Sequence, residues 1–287
     1  MIDIKTGILG LIGYPIEHSL SPLLHNMAIK KYDLNYVYLP FAVEPGNVKQ
    51  ALMGLKALNF RGVNVTIPYK EKVIPYLDEM DSLAEKIGAV NTIVNENGIL
   101  KGYNTDITGL KRMIEVDGNT TIKNKKALII GAGGAAKAAV FALCLGGIKE
   151  IAIINRTAKR ADEIAKIVKQ YYDSVKLVTG SLDTDLYKHL LTDIDLVIDT
   201  TPVGMAPKAD VAPVIELDGI KKSTLVIDLV YNPAKTTILK EAEKRNAETM
   251  NGLNMLLYQG AESFKIWTGI DINTKMWYNY ILKLKKL

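Results

Sequence analysis

The segment Gly131-Ala132-Gly133-Gly134-Ala135-Ala136 follows the short apolar run Ala127 to Ile130 and leads into an Ala-rich stretch of helical character. Gly131, Gly133 and Ala136 fit the G-x-G-x-x-G/A spacing of a strand-to-helix turn that takes a pyrophosphate. The first glycine makes the tight turn. The second lets the backbone approach the phosphates, and the small third residue lets helix pack on strand. The helix start then offers free N–H groups and a partial positive charge to an anion. A ligand-free turn has the same glycine spacing, but the strand before it and the βαβ context favour a nucleotide.

The tip of the next strand selects the nucleotide. A site for NAD places Asp or Glu there, to accept from the ribose 2′-OH. Here the strand ends in Asn155-Arg156-Thr157, followed by Lys159 and Arg160. A carboxylate would repel a 2′-phosphate, whereas a guanidinium clamps it through two hydrogen bonds. NADP(H) is therefore expected over NAD. Arg160 reads equally as a solvent-facing helix residue.

Short polar motifs occupy the first third of the chain. In His18-Ser19-Leu20-Ser21-Pro22, Ser21 reads as a helix N-cap before a proline at the first helical position. Its hydroxyl, with that of Ser19 at the same helix end, could also donate to a carboxylate. In Asn64-Val65-Thr66-Ile67-Pro68-Tyr69-Lys70, alternation puts Val63, Val65 and Ile67 on a buried face and Asn64 and Thr66 on the other. That pair, near a strand's C-terminal end, suits hydrogen bonds to a polyol. Asn91-Thr92 and Asn104-Thr105-Asp106 complete the set. Asp106 reads either as an N-cap or as the carboxylate partner of Lys70; a lysine–carboxylate pair could bind a hydroxyl and relay its proton as a hydride leaves or arrives.

In this order the motifs resemble the shikimate dehydrogenase (shikimate/quinate dehydrogenase) family. The resemblance is carried by Ser19-Leu20-Ser21-Pro22, Asn64-Val65-Thr66 with Pro68 and Lys70, Gly88-Ala89-Val90-Asn91-Thr92 and Asn104-Thr105-Asp106. It continues through Gly131 to Ala135, Asn155-Arg156-Thr157, Thr201-Pro202-Val203-Gly204-Met205, Val230-Tyr231-Asn232-Pro233 and Tyr258-Gln259-Gly260-Ala261. The resemblance implies Lys70 and Asp106 as the catalytic pair, Ser19, Ser21 and Tyr231 on the substrate carboxylate, and Thr66, Asn91, Asp106 and Gln259 on the ring hydroxyls, with Asn64 a supporting neighbour. It implies Gly131, Ala132, Gly133, Gly134 and Ala135 for the pyrophosphate and Asn155, Arg156, Thr157 and Arg160 for the 2′-phosphate end. Thr201, Met205, Val230 and Gly252 would line the ribose and nicotinamide. Gln259 also reads as a packed core amide on the stripe with Met255 and Ile266.

The implied activity is the reversible NADPH-dependent reduction of 3-dehydroshikimate to shikimate, in aromatic amino-acid biosynthesis, with no metal. The nearest rival is a quinate/shikimate dehydrogenase with relaxed cofactor use. A rival of another class is a homologue that binds both ligands without turnover.

The elements that must position these groups alternate between strand and helix from end to end, the pattern of an α/β chain with parallel sheets. Strands are expected at 7–13, 36–43 and 62–67, a hairpin at 90–103 about Asn97-Gly98, then strands at 127–130, 150–154, 175–178, 196–199 and 224–229. The expected organisation is an α/β substrate domain with a mostly parallel sheet over 1–107, a Rossmann-type NADP-binding domain over 108–251, and C-terminal helices over 252–287 returning to the first domain. Two domains suit 287 residues, and 48% apolar with 23% charged residues is a globular balance. The net charge of +5 is spread without a basic block for nucleic acid. The single cysteine, Cys144, excludes an intrachain disulfide. No run reaches membrane-spanning length and no signal peptide is read, so a cytoplasmic enzyme of small molecules is expected, with a homodimer left open. His18, His25 and His189 show no metal-ligand spacing.

Overall fold

The computed structural model describes residues 2–182 and 186–284. In chain order its elements are β1 (Gly7–Gly13), α1 (Ser21–Lys31), β2 (Tyr36–Ala42), α2 (Val48–Ala57), β3 (Gly62–Val65), β4 (Glu79–Met80), α3 (Ser82–Ile87), β5 (Thr92–Glu96), β6 (Ile99–Tyr103) and α4 (Thr105–Arg112). There follow β7 (Lys126–Ile130), α5 (Gly134–Leu145), β8 (Glu150–Asn155), α6 (Ala158–Lys169), β9 (Lys176–Ser181), α7 (Leu186–Leu191), β10 (Leu196–Asp199), β11 (Leu225–Asp228), α8 (Thr237–Lys244), β12 (Glu248–Asn251), α9 (Leu253–Thr268) and α10 (Thr274–Leu284). The chain divides into two units, Met1–Thr105 with Gln259–Leu287, and Asp106–Tyr258.

The first unit holds a six-stranded sheet of order β2-β1-β3-β5-β6-β4. β1 pairs in parallel with β2 and β3 because a helix returns the chain each time, whereas β3–β5 and β5–β6 are antiparallel. The β5–β6 hairpin turns at Asn97 and Gly98, with φ of 54° and 88°, the left-handed values that Asn-Gly tolerates. Val63, Val65, Tyr69, Ile93 and Leu100 bury one face with Leu52 and Leu55 of α2. The C-terminal helices return to this unit: Trp267 Nε1 donates to the Ile93 carbonyl at 3.0 Å, and the Arg61 Nε donates to the Trp267 carbonyl at 2.9 Å. Gly62 is required there, since a Cβ would meet Trp267 Nε1 at 2.3 Å.

The second unit holds an all-parallel sheet of order β12-β11-β10-β7-β8-β9. This is the doubly wound Rossmann order, with the direction of winding reversing between β7 and β10. Its central strands read Ala-Leu-Ile-Ile, Ile-Ala-Ile-Ile, Leu-Val-Ile-Asp and Leu-Val-Ile-Asp, near-continuous apolar runs as expected of strands covered on both faces. α6 shows the complementary pattern: Ala161, Ile164 and Val168 are buried and its lysines face outward.

Some expectations need correction. Ser21 is not an N-cap: the helix starts at Ser21, Leu20 takes the cap position, and the acceptor lies two residues before Ser21, Ser19 Oγ receiving the Ser21 N–H at 3.3 Å. Strand β3 stops at Val65, so Ile67 leaves the expected buried face and is 71% exposed. Asn64 is not on an open face either, because β3 is central and covered on both sides. The two-residue strand β4, the edge strand β12 and the short helix α3 carry too few apolar positions to have been read as elements.

Candidate active site

In the first unit the polar residues converge because neighbouring strands and α9 present them together. Asn64 of β3, Thr92 of β5, Thr105 at the head of α4 and Ser263 of α9 are all buried. The Asn64 amide is fully engaged: its Oδ1 accepts from the Tyr38 hydroxyl at 2.8 Å, and its Nδ2 donates to Ser263 Oγ at 3.0 Å, Thr92 Oγ1 at 3.2 Å and the Asn91 carbonyl at 3.3 Å. Asn91 is turned by the backbone of the next motif: the Thr105 N–H donates to its Oδ1 at 2.8 Å. The Asn91 Nδ2 then donates to Thr105 Oγ1 at 3.0 Å and to Gln259 Oε1 at 3.4 Å. Thr92 and Ser263 hydroxyls lie 2.7 Å apart, and Ser263 donates to the Gln259 carbonyl one helical turn earlier at 2.9 Å. So Asn64, Asn91 and Gln259, distant in sequence, share one hydrogen-bonded network.

Lys70 is half-buried just past β3, where its carbonyl accepts the Val90 N–H at 2.8 Å and ties its loop to the segment before Asn91. Ser19 is half-buried, Ser21 is buried at the start of α1, and Thr66 is half-buried beside β3. His25, one turn further along α1, lies in an aromatic cage and stacks on Tyr38 at 4.4 Å between ring centroids and 13° between planes. Burial without a charged partner pushes His25 down to about 3, so it is neutral at working pH. Burial pushes the Tyr38 hydroxyl well above its usual range, opposed by a hydrogen bond with the Ser21 side chain.

In the second unit, Asp106 is buried in the first turn of α4, and burial raises the half-exposed Tyr231 hydroxyl. Gly131 leaves β7 with φ of 105°, and a Cβ there would meet Thr200 Oγ1 at 2.6 Å, so only glycine fits this turn. At Gly133 and Gly134 an added Cβ would meet nothing within 4 Å, which leaves the backbone and the start of the 12-residue α5 open to a ligand. At the tip of β8, Asn155 Nδ2 donates to the Thr157 carbonyl at 3.0 Å, closing the turn that presents the exposed Arg156 and Arg160. The first turn of α6 holds no acidic residue. The tips of β10 and β11 are fixed by buried carboxylates. Asp199 accepts the Thr201 N–H at 2.8 Å, and Asp228 accepts the Val230 N–H at 2.9 Å and the Thr236 hydroxyl at 2.5 Å. Gly252 packs so closely under this tip that a Cβ would meet the Leu229 carbonyl at 1.9 Å. Met205 is half exposed. An open glycine turn at the winding reversal and a basic, acid-free second tip fit a dinucleotide carrying a 2′-phosphate.

The matches to known families follow the same division. A model for the shikimate dehydrogenase substrate-binding domain matches residues 11–93, one for shikimate/quinate 5-dehydrogenase matches 114–243, and one for the shikimate 5′-dehydrogenase C-terminal domain matches 252–275. The chain belongs to the shikimate dehydrogenase family. A shikimate dehydrogenase (NADP+) of Halothermothrix orenii is 54% identical over 94% of this chain and 93% of its own length. A crystal structure of a shikimate dehydrogenase in complex with NADP+ superposes with a TM-score of 0.90 at 45% identity, covering 99% of this chain and 97% of that one. That of the Listeria monocytogenes enzyme in complex with shikimate and NAD gives 0.91 at 37% identity, covering 98% of each chain.

Against the family motifs, the structure adds Tyr38 and Ser263. Neither lies in a quoted motif, and Tyr38 reads as an ordinary strand aromatic. Ser263 carried a usable signal: it stands four residues after Gln259, on the same helix face. Among the described residues no group of three or more His, Cys, Asp or Glu could hold a metal ion, and no helix is long and apolar enough to cross a membrane. Cys144 is buried in α5, and burial pushes its thiol up to about 12.

Proposed function

We infer that the chain catalyses the reversible NADP-dependent interconversion of shikimate and 3-dehydroshikimate, a step toward the aromatic amino acids. The observation that carries this is the 54% identity to a shikimate dehydrogenase (NADP+) over 94% of the chain, spanning both the polar network and the glycine turn. Within that reading, Ser19, Ser21 and Tyr231 receive the substrate carboxylate. Thr66, Asn91, Asp106 and Gln259 receive the ring hydroxyls, and Asn64 holds Asn91 and Gln259 from behind. Gly131, Ala132, Gly133, Gly134 and Ala135 would hold the pyrophosphate, and Asn155, Arg156, Thr157 and Arg160 the 2′-phosphate. Thr201, Met205, Val230 and Gly252 would flank the ribose and nicotinamide.

The bound nicotinamide supplies the hydride acceptor in one direction and the donor in the other. Lys70 and Asp106 manage the proton. As the carbon bearing the 3-hydroxyl gives up its hydride, the hydroxyl proton passes to this pair and the oxygen becomes a carbonyl. In reduction the pair returns a proton to the developing alkoxide. The Thr105 N–H fixes the Asn91 oxygen, and the Asn91 Nδ2 is shared between Thr105 Oγ1 and Gln259 Oε1, so a ring hydroxyl is received in exchange for one of those acceptors.

The test is absorbance at 340 nm with the purified protein, crossing shikimate and quinate against NADP+ and NAD+. Reduction fastest with shikimate and NADP+ is the expected result. Faster turnover with quinate or with NAD+ would overturn the substrate or cofactor assignment, and no turnover in any combination would leave a binding protein.

A further inference from the structure

The buried network runs from β2 to α9 through hydroxyl and amide groups on Tyr38, Asn64 and Ser263. The Tyr38 hydroxyl spends its one proton on Asn64 Oδ1 at 2.8 Å. That fixes which end of the amide faces α9, so Asn64 Nδ2 donates to Ser263 Oγ at 3.0 Å. Ser263 Oγ in turn lies 2.9 Å from the Gln259 carbonyl, which can only accept, and 2.7 Å from the Thr92 hydroxyl, where either oxygen can donate. The result is a continuous chain of hydrogen bonds from β2 through β3 to the turn of α9 that carries Gln259. Asn91 Nδ2, donating to Gln259 Oε1 at 3.4 Å, sets the polarity of the Gln259 side chain. Tyr38, Asn64 and Ser263 are 0%, 6% and 0% exposed, so no water can substitute for a missing partner without new space. The Tyr38 ring itself is held: His25 stacks on it at 4.4 Å and Trp267 lies 6.1 Å away, tilted by 51°.

We propose that Tyr38 and Ser263 are positioning residues for the substrate: their hydroxyls fix the Asn64 amide and, through it, the Gln259 turn, so that Asn91 and Gln259 reach the ring hydroxyls already oriented. Neither hydroxyl touches substrate or cofactor. This rests on the reading that Asn91 and Gln259 bind shikimate, and the test separates the two. Losing one buried hydrogen bond between positioning groups weakens binding of a preorganised ligand about tenfold.

The experiment is steady-state kinetics of Tyr38→Phe, Ser263→Ala and the double variant with shikimate and NADP+, with thermal melts of each protein. Tyr38→Phe keeps the aromatic stack and removes the hydroxyl with its bonds to Asn64 and to the Ser21 side chain, which Ser263→Ala leaves in place. Each single variant is expected to raise KM for shikimate about tenfold, more than kcat falls, with KM for NADP+ within twofold of the wild type. Because both act through Asn64, the double variant is expected to be little worse than either single one. A KM for shikimate within twofold of wild type, with a lowered melting temperature, would mean a purely structural role and overturn the proposal. Additive KM effects, or equal effects on NADP+, would overturn it as well. Should one variant fail to fold, the KM of the other decides alone. A wild-type protein that leaves shikimate unchanged overturns the underlying assignment, and the positioning role with it.

Discussion

Lys70 and Asp106 reach their places by different routes. Lys70 follows the central strand β3 by five residues, and its carbonyl is tied to Val90 across the loop at 2.8 Å. Asp106 sits buried in the first turn of α4, where a carboxylate is stabilised by the helix dipole. If Lys70 moves the substrate proton, Lys70→Ala should lower kcat by about two to four orders of magnitude, the scale of a positioned acid or base. NADP+ binding, followed by fluorescence titration, should be retained. An unchanged kcat would remove Lys70 from the proton path and leave it a binding residue. The roles proposed for these two residues come only from their motifs, since a single lysine after a strand is ordinarily solvated. Ser21 was legible as a helix start but not as N1, because a side-chain acceptor two residues earlier, Ser19, satisfies the same backbone group. Tyr38 was illegible, because an aromatic in a strand gives no sign of where its hydroxyl points.

At the scale of elements, the tips of β10 and β11 carry Asp199 and Asp228 side by side in register. Both are buried, and each holds the N–H that starts the following loop. Burial pushes Asp199 up to about 7, with the nearby Asp228 adding to the shift, and pushes Asp228 up to about 6. The folded chain therefore keeps protons that the unfolded chain has released above about pH 4. Stability from these groups is present in acid and is lost as pH rises through about 4 to 7. His25 runs in the opposite sense: the unfolded imidazole takes up a proton near 6.5 that the caged one refuses until about 3, so its contribution is lost as pH falls through that window. Asp199→Asn keeps an oxygen for the Thr201 N–H and removes the charge. Its melting temperature should exceed that of the wild type at pH 8 by about 2–4 °C, the equivalent of about 1 kcal/mol, and the gap should narrow through pH 5 and close near pH 4. Parallel melting profiles across that range would show that Asp199 stays ionised in the fold. The parallel order of these strands was readable from their apolar runs. The pairing of the two aspartates was not, because it depends on register across strands separated by a long connection.

At the scale of the whole chain, the first unit is completed by residues that arrive last in sequence. Gln259–Leu287 belong with Met1–Thr105, and the packing explains why. Trp267 and Trp277 are buried, and Trp267 bonds both β5 and Arg61. The stripe of apolar residues after Gly252 made the helices readable, and Gln259 within it pointed to a return to the polar motifs. The partner surface could not be read, since the glycine that admits Trp267, Gly62, lies in a strand some two hundred residues earlier and shows no turn signal. Trp267→Ala should remove a buried indole and its hydrogen bond to Ile93, at a cost of about 3–5 kcal/mol. The loss should fall on the first unit, because the cavity opens among β3, β5 and α1 elements. Hydrogen exchange followed by mass spectrometry resolves this: amides of β3 and β5 should exchange faster in the variant while those of β7 and β8 keep their wild-type rates. Uniform acceleration across both sheets would mean that the chain unfolds as a single cooperative body, and that α9 and α10 stabilise all of it rather than the unit whose polar network they complete.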